Sequence, residues 1–234
     1  MALLFSADSI SKAYGARTVL KAASIWAYEG RITALLGRNG CGKSTLLRIG
    51  AGLLAADQGA IHFAGRVYLR PRLSELARQG LFYLPDRNLL SRRLTIRQQI
   101  LAAEWHFGND RTSSIIERLE LGPRLDRNAV QLSGGERRRA DIALAWICAP
   151  RCLLADEPFA GIDPADRELI GQVLLELARE GCALVVSGHE VPHLLETADD
   201  VVWMTSGTTH GLGAPEVAVR NDQFQREYLG PLHR

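Results

Sequence analysis

The chemistry of this chain is concentrated between Gly37 and Thr45, where Gly37, Arg38, Asn39, Gly40, Cys41, Gly42, Lys43, Ser44 and Thr45 have the spacing G-x-x-x-x-G-K-[ST]. Glycines at those positions let the backbone curl until successive N–H groups point inward at phosphate oxygens. A helix beginning at the loop adds its partial positive charge. Lys43 has the reach for outer phosphates, and the Ser44 hydroxyl is a magnesium donor. A second set ends the apolar run Cys152-Leu153-Leu154-Ala155 with Asp156, Glu157 and Pro158. Beside a phosphate loop, Asp156 is placed to hold magnesium directly or through water, and Glu157 to polarise an attacking water. Without that loop, two solvated acids at a strand end would be the better reading. A third set, Leu132-Ser133-Gly134-Gly135-Glu136, opens a helix. Ser133 with Glu136 fits a capping box, S-x-x-E. A capping box does not need two central glycines, however, and Gly134 with Gly135 leaves the first-turn N–H groups open to a second anion.

These groups need elements to hold them. Ile32-Thr33-Ala34-Leu35-Leu36 reads as a buried strand entering the first loop, and Leu46-Leu47-Arg48-Ile49 as the helix leaving it. Residues 3–10 and 20–28 alternate as two strands of a peripheral sheet, with Tyr14-Gly15-Ala16-Arg17 as a turn between them. Asp57-Gln58-Gly59 reads as a turn before a short strand, Ile61-His62-Phe63. A helix over 72–79 then precedes a buried strand, Leu81-Phe82-Tyr83-Leu84, stopped by Pro85. From about 86 to 149 the pattern is helical (95–107, 112–121, 134–148), broken at Gly108-Asn109-Asp110 and Gly122-Pro123. Strand 152–156, helix 165–179, strand 182–186, helix 191–197 and strand 200–204 follow. That alternation predicts a parallel sheet with right-handed crossovers. The tail over 207–229 reads as a turn and short helices. The expected architecture is α/β: a phosphate-binding core of about 1–85 and 150–234, interrupted by a helical lobe of about 86–149.

Composition excludes several classes. At 234 residues and 47% apolar content the chain suits one domain with an inserted lobe. A net charge of +2 argues neither for nucleic acid nor for a charged tail, and no nucleic-acid partner is expected. Among its basic residues only Lys12, Lys21 and Lys43 are lysines, which reads as compositional bias. No apolar run reaches the roughly 18 residues that cross a bilayer, and the N-terminus does not have the pattern of a signal peptide. A soluble, cytoplasmic chain is expected. Cys41, Cys148, Cys152 and Cys182 lack metal-ligand spacing, and the last three read as reduced structural thiols. Cys41 stands at a helix start, which should depress a thiol pKa; the other reading is a small buried filler.

Together these motifs resemble the nucleotide-binding subunit of ATP-binding-cassette (ABC) transporters over essentially the whole chain. Residues 132–136 match that family's signature pentapeptide. The resemblance implies a single P-loop NTPase domain of mostly parallel sheet, with a peripheral antiparallel sheet and an inserted helical lobe. It implies ATP and Mg2+ as cofactors. Tyr14 would stack on adenine, an ordinary turn tyrosine being the alternative, and Gly37 to Thr45 would hold the phosphates. Asp156 and Glu157 would take the magnesium and general-base roles, and His189, in Val186-Ser187-Gly188-His189-Glu190, would contact the γ-phosphate. Asp163, in Ala160-Gly161-Ile162-Asp163, would touch the opposite subunit. Two cassettes would pack head to tail around two ATP molecules, each site pairing one phosphate loop with Ser133, Gly134, Gly135 and Glu136 of the other. The lobe would pass that motion to transmembrane permease subunits at the inner face of the membrane. Tyr83-Leu84-Pro85 and Leu89-Leu90-Ser91-Arg92-Arg93-Leu94-Thr95-Ile96 are most similar to subunits serving branched-chain amino acid uptake and lipopolysaccharide export. One departure stands out. Most relatives have glutamine after Leu84-Pro85, whereas this chain has Asp86, which adds charge and offers no N–H donor. Asp86 could still bind magnesium, with slower or more magnesium-dependent turnover. A soluble assembly ATPase of the iron–sulfur scaffold type, or a slow nucleotide switch, are the other readings.

Overall fold

The computed structural model describes residues 2–87, 89–108, 110–189 and 191–230. Asn109 in the expected break and Glu190 beside His189 lie outside the described residues. A six-stranded sheet runs β10-β9-β3-β8-β7-β6 and a four-stranded sheet runs β2-β1-β4-β5. In the first, β3 (Ile32–Leu36), β6 (Leu81–Leu84), β7 (Cys152–Ala155), β8 (Ala183–Gly188) and β9 (Asp200–Thr205) are parallel neighbours. Every residue of β3, β7 and β8 is buried, as expected of strands covered on both faces. The second sheet is antiparallel, built from β1 (Leu3–Tyr14), β2 (Arg17–Tyr28), β4 (Gln58–Phe63) and β5 (Arg66–Tyr68). The two sheets are tied together where the Lys21 N–H donates to the Gly207 carbonyl at 2.8 Å and the Ser24 N–H to Thr209 Oγ1 at 2.7 Å.

The helices divide between the faces. α1 (Lys43–Gly50) packs into an apolar cluster between the two sheets, with Phe5, Leu20, Leu46, Leu47 and Val185 among its members; α2 (Leu73–Ala77) adds Leu76. A second cluster covers the opposite face of the parallel sheet. It joins Ile32, Leu36 and Leu153 to α3 (Ile96–Phe107) through Ile96 and Ile100 and to α4 (Thr112–Arg118) through Ile115. α5 (Gly134–Ile147) enters it through Ile142 and Trp146, and α6 (Pro164–Arg179) through Ile170 and Val173. The helical segment therefore shares its core with the sheet.

Three expectations need correction. The tail begins with a strand, β10 (Thr208–Gly213), antiparallel to β9. Its Thr-Thr-His-Gly-Leu-Gly sequence hides the alternation, because Gly211 makes room for the Trp26 ring, which a Cβ would meet at 2.7 Å. Gln58 and Gly59 belong to β4 rather than to a turn; Gly59 takes φ 98° where the β1–β4 register shifts, so the glycine marks a bulge. The β5 edge strand was not expected at all. Before β9, α7 (Val191–Thr197) is as expected; after β10, α8 (Pro215–Ala218) and α9 (Asp222–Phe224) lead into a π-helical turn at Gln225–Leu229.

Candidate active site

The loops after β3, β7 and β8 meet at the carboxyl edge of the parallel sheet, where open α/β sheets bind ligands. The glycine-rich loop fits there only with glycine at two points. A Cβ on Gly37 would lie 2.5 Å from the Met204 carbonyl oxygen, and Gly42 takes φ 117° with Leu20 and Met204 against it. Gly42 caps α1, which starts at Lys43. Lys43 is buried; its Nζ donates to the Gly37 carbonyl at 2.7 Å and pairs with Glu157 Oε1 at 3.1 Å. Glu157 holds a left-handed backbone, φ 50°, uncommon outside glycine and characteristic of functional sites. Its other carboxylate oxygen lies 2.8 Å from His189 Nδ1. Lys43, Glu157 and His189 thus form one chain of charged and polar groups.

Asp156 is fully buried. Its Oδ1 accepts from Ser44 Oγ at 3.0 Å and from Ser187 Oγ at 2.9 Å, and its Oδ2 accepts from Tyr83 Oη at 3.1 Å. Ser187 also accepts from the Glu157 N–H at 3.0 Å, so one hydroxyl ties the two acids together. Burial, reinforced by the Asp156 charge, pushes Tyr83 up to about 12, so it stays a donor at neutral pH. The Ser44 hydroxyl and the Asp156 carboxylate are hard oxygen donors side by side, a set that fits magnesium completed by substrate phosphates. Among the described residues no group of three or more His, Cys, Asp or Glu forms a metal cage.

A cleft of about 650 Å³ opens over this edge. Tyr14, Asn39, Gly40, Gly42, Lys43, Ser44, Thr45, Asp86, Glu157 and His189 line it, together with Arg17 and Arg87. Tyr14 is half-exposed at the rim, with Lys12 Nζ 5.7 Å from its ring centre. Gly37, Arg38 and Cys41 face away from the cleft toward the tail. The Gly37 N–H donates to Tyr228 Oη at 3.1 Å and Arg38 donates to the Glu227 carbonyl at 2.9 Å. Tyr228 stacks on Phe224, which meets Trp203 of β9 edge-on, so the tail braces the phosphate loop from behind. The expected depression of the Cys41 thiol is overturned. Burial pushes it up, and the opposing pull of Lys43 is smaller.

Ser133, Gly134, Gly135 and Glu136 lie outside this cleft. The capping box is formed: the Glu136 N–H donates to Ser133 Oγ at 3.1 Å and the Ser133 N–H to Glu136 Oε2 at 2.9 Å. That backbone bond, with Arg124, holds the Glu136 carboxyl below its ordinary range. Gly134 lines a second cleft with Ala160, Gly161 and Asp86. Gly135 has a further reason to be glycine, because a Cβ there would fall 1.4 Å from Asp166 Oδ2. Asp163 caps α6, accepting from the Asp166 N–H at 2.9 Å.

Asp86 does not join Asp156. Its carboxylate lies 3.4 Å from Arg87 Nε and 3.9 Å from Arg138 Nη2. Arg138, buried on α5, donates to the carbonyls of both Pro85 and Asp86 and pairs with Asp141 at 3.6 Å. Burial lifts Asp141 to about 7 against the pull of Arg138. Tyr83, Ser187, Arg138 and Tyr228 were not singled out from the sequence as site residues. For Ser187 and Tyr83 the available signal was a polar side chain at or near the end of an apolar strand.

A family model described as ABC transporter matches residues 20–160. The chain belongs to the ABC transporter family. The lipopolysaccharide export system ATP-binding protein LptB of Haemophilus influenzae is 30% identical over 97% of both chains. LptB of Escherichia coli K12 is 31% identical over 96% of both. A probable ABC transporter ATP-binding protein of Azorhizobium caulinodans is 33% identical over 98% of this chain and 84% of its own length. Among solved structures, a nucleotide-free ATP-binding cassette from an ABC transporter superposes with a TM-score of 0.85 at 24% identity, over 98% of this chain and all of that one. A cassette in a dimeric post-hydrolysis state with ADP and Pi gives 0.79 at 23% identity, over 89% of this chain and 99% of that one. Those two likenesses bear on the fold. As the ATP-binding subunit of an ABC transporter, the cassette binds and hydrolyses ATP.

Proposed function

We propose that this ABC cassette hydrolyses magnesium-ATP at a seam between two copies, with Lys43, Ser44, Asp156, Glu157 and His189 of one copy facing Ser133 to Glu136 of the other. The observation that carries the reading is a separation. Lys43, Ser44, Glu157 and His189 line one cleft, with buried Asp156 hydrogen-bonded to Ser44, while Gly134 of the signature segment lines a neighbouring cleft that shares only Asp86, Arg87 and Ala160 with it. None of Ser133 to Glu136 lines the first cleft, which supports a ligand there taking the second set from another cassette. Tyr14 at the cleft rim supplies a ring for adenine, and residues 39–45 supply the loop for phosphates. Lys43 exchanges the Gly37 carbonyl and Glu157 for phosphate oxygens. Glu157, released from Lys43, takes a proton from the attacking water, and His189 stays hydrogen-bonded to it. Magnesium, which Ser44 and Asp156 would hold, would supply charge neutralisation on the phosphates. Asp86 serves as an altered sensor at the cleft edge, held through its backbone by Arg138.

Transmembrane permease subunits are the proposed partners. Leu101 and Trp105, one turn apart on α3, are 54% and 88% exposed, an apolar pair suited to a protein surface. Among the described residues no helix is long and apolar enough to cross a membrane, which fits peripheral attachment at the cytoplasmic face. The curated relatives are transporter subunits by name, so the assembly-ATPase alternative is not favoured. The experiment is a mixing assay between Lys43→Ala and Ser133→Arg cassettes, each inactive alone. Recovery of up to a quarter of wild-type ATPase activity, from hybrid dimers with one intact site, supports a shared site. No recovery, in mixtures shown to form dimers, rejects it.

A further inference from the structure

The magnesium-facing acid has more hydrogen-bond support than holding a metal requires, and part of that support comes from a residue without an assigned role. Asp156 is fully buried, and its two oxygens are used differently. Oδ1 takes the hydroxyls of Ser44 and Ser187, at 3.0 and 2.9 Å, on the side of the phosphate loop. Oδ2 takes Tyr83 Oη at 3.1 Å. Tyr83 sits on β6 opposite Leu154 of β7, three residues before Asp86. The Arg48 guanidinium, on α1 one turn after Ser44, is held above its ordinary range chiefly by Tyr83. Tyr83 therefore ties the strand that leads to Asp86 directly to the Asp156 carboxylate.

A buried carboxylate swings about its last bond unless both oxygens are held, and an unpartnered buried oxygen is costly. Ser44 is itself a proposed metal donor, so it cannot anchor Asp156 and the metal independently. Tyr83 is the anchor on the opposite side. Because Ser187 joins Asp156 to the Glu157 N–H, a turn of the Asp156 carboxylate would also disturb the backbone of the general base.

We propose that Tyr83 is a positioning residue that fixes the Asp156 carboxylate for magnesium. The proposal rests on the ATPase reading above and adds a residue to it. Phenylalanine at 83 keeps the ring packed against the inter-sheet cluster and removes only the hydroxyl. Arg48 is exposed, so Arg48→Met removes the charge that acts on Tyr83 with little risk to folding, and it keeps the test open should Tyr83→Phe not fold.

The test is binding of a fluorescent ATP analogue to the full chain across a magnesium titration and, separately, in EDTA, with phosphate release followed in parallel. Partners that orient metal ligands commonly change metal affinity by about 10-fold or more. Tyr83→Phe is therefore expected to raise the magnesium concentration for half-maximal binding by about 10-fold. Arg48→Met should raise it by a smaller factor, and both should leave affinity in EDTA unchanged. Unaltered magnesium demand in Tyr83→Phe, or in Arg48→Met should that be the only soluble variant, overturns the proposal. So does an equal loss of affinity with and without magnesium, which would mark a packing role only. A wild-type protein that binds no nucleotide overturns the ATPase reading and this proposal together; a binding wild type with indifferent variants overturns this proposal alone.

Discussion

Gly135→Ala separates two reasons for a glycine in the signature segment. The added Cβ would stand 1.4 Å from Asp166 Oδ2 and 2.4 Å from its Cγ, so the carboxylate has to leave. That carboxylate pairs with Arg139 Nε at 3.0 Å, and both side chains are nearly buried, at 12% and 13% exposure. Overpacking costs about 1–3 kcal/mol, and separating a largely buried ion pair adds to it, so a loss of about 3 kcal/mol is expected. For a chain of this size that is a fall of roughly 6–12 °C in Tm. Gly134→Ala is the control, since its Cβ would meet only the Gly161 carbonyl at 3.2 Å; a loss of about 1 kcal/mol or less is expected there. The assay is thermal or urea unfolding without nucleotide, so that ATP binding cannot contribute. If Gly135→Ala unfolds with the wild-type midpoint, the packing argument is wrong and the glycine serves the phosphate alone.

Glu157→Gln should lower phosphate release by about 100-fold or more while ATP stays bound, read by rapid filtration; release within a few-fold of wild type would remove Glu157 from the general-base role. Asp86→Gln should raise turnover or reduce magnesium demand, and identical magnesium titrations would reject a sensing role for Asp86. Cys41, pushed up by burial, carries less thiolate at neutral pH than an ordinary cysteine; its alkylation should therefore be slow at pH 7 and accelerate above pH 9, by mass spectrometry. Fast labelling at pH 7 would contradict the burial effect. Asp141 is lifted from 3.8 to about 7 in the folded chain, so over that window the folded state binds a proton that the unfolded state lacks. Its contribution to stability is present below pH 4 and lost as pH rises through about 7. Asp141→Asn should flatten that part of the pH–stability curve, and an unchanged slope in urea titrations would count against it.

The sequence disclosed the chemistry more fully than the supports. Lys43 and Ser44 are legible as candidates from the glycine spacing of their loop, Asp156 and Glu157 from the apolar run that they end, and His189 from the family resemblance. β10 was not legible: a strand that pairs on one side and covers an aromatic ring needs no alternation. Nor was the Cys41 thiol, whose exposure is set by how the tail and Met204 close over the loop rather than by its own position. Tyr228 reaches Gly37 across 191 positions, and no local pattern encodes such a partner. The sequence marks Gly135 as a glycine left open for an anion, whereas Asp166 across the helix pair supplies a packing reason that its neighbours in sequence do not.

The apolar cluster that spans α3 to α6 and one face of the parallel sheet has a mechanical consequence. A lobe with its own core could swing on a linker and leave the sheet undisturbed. Here Ile100, Ile115 and Trp146 belong to the same packed body as Leu36 and Leu153, so large rotation would open dry contacts. Any travel at the nucleotide edge would therefore be delivered outward as a short slide of packed helices rather than as a swing of a free lobe.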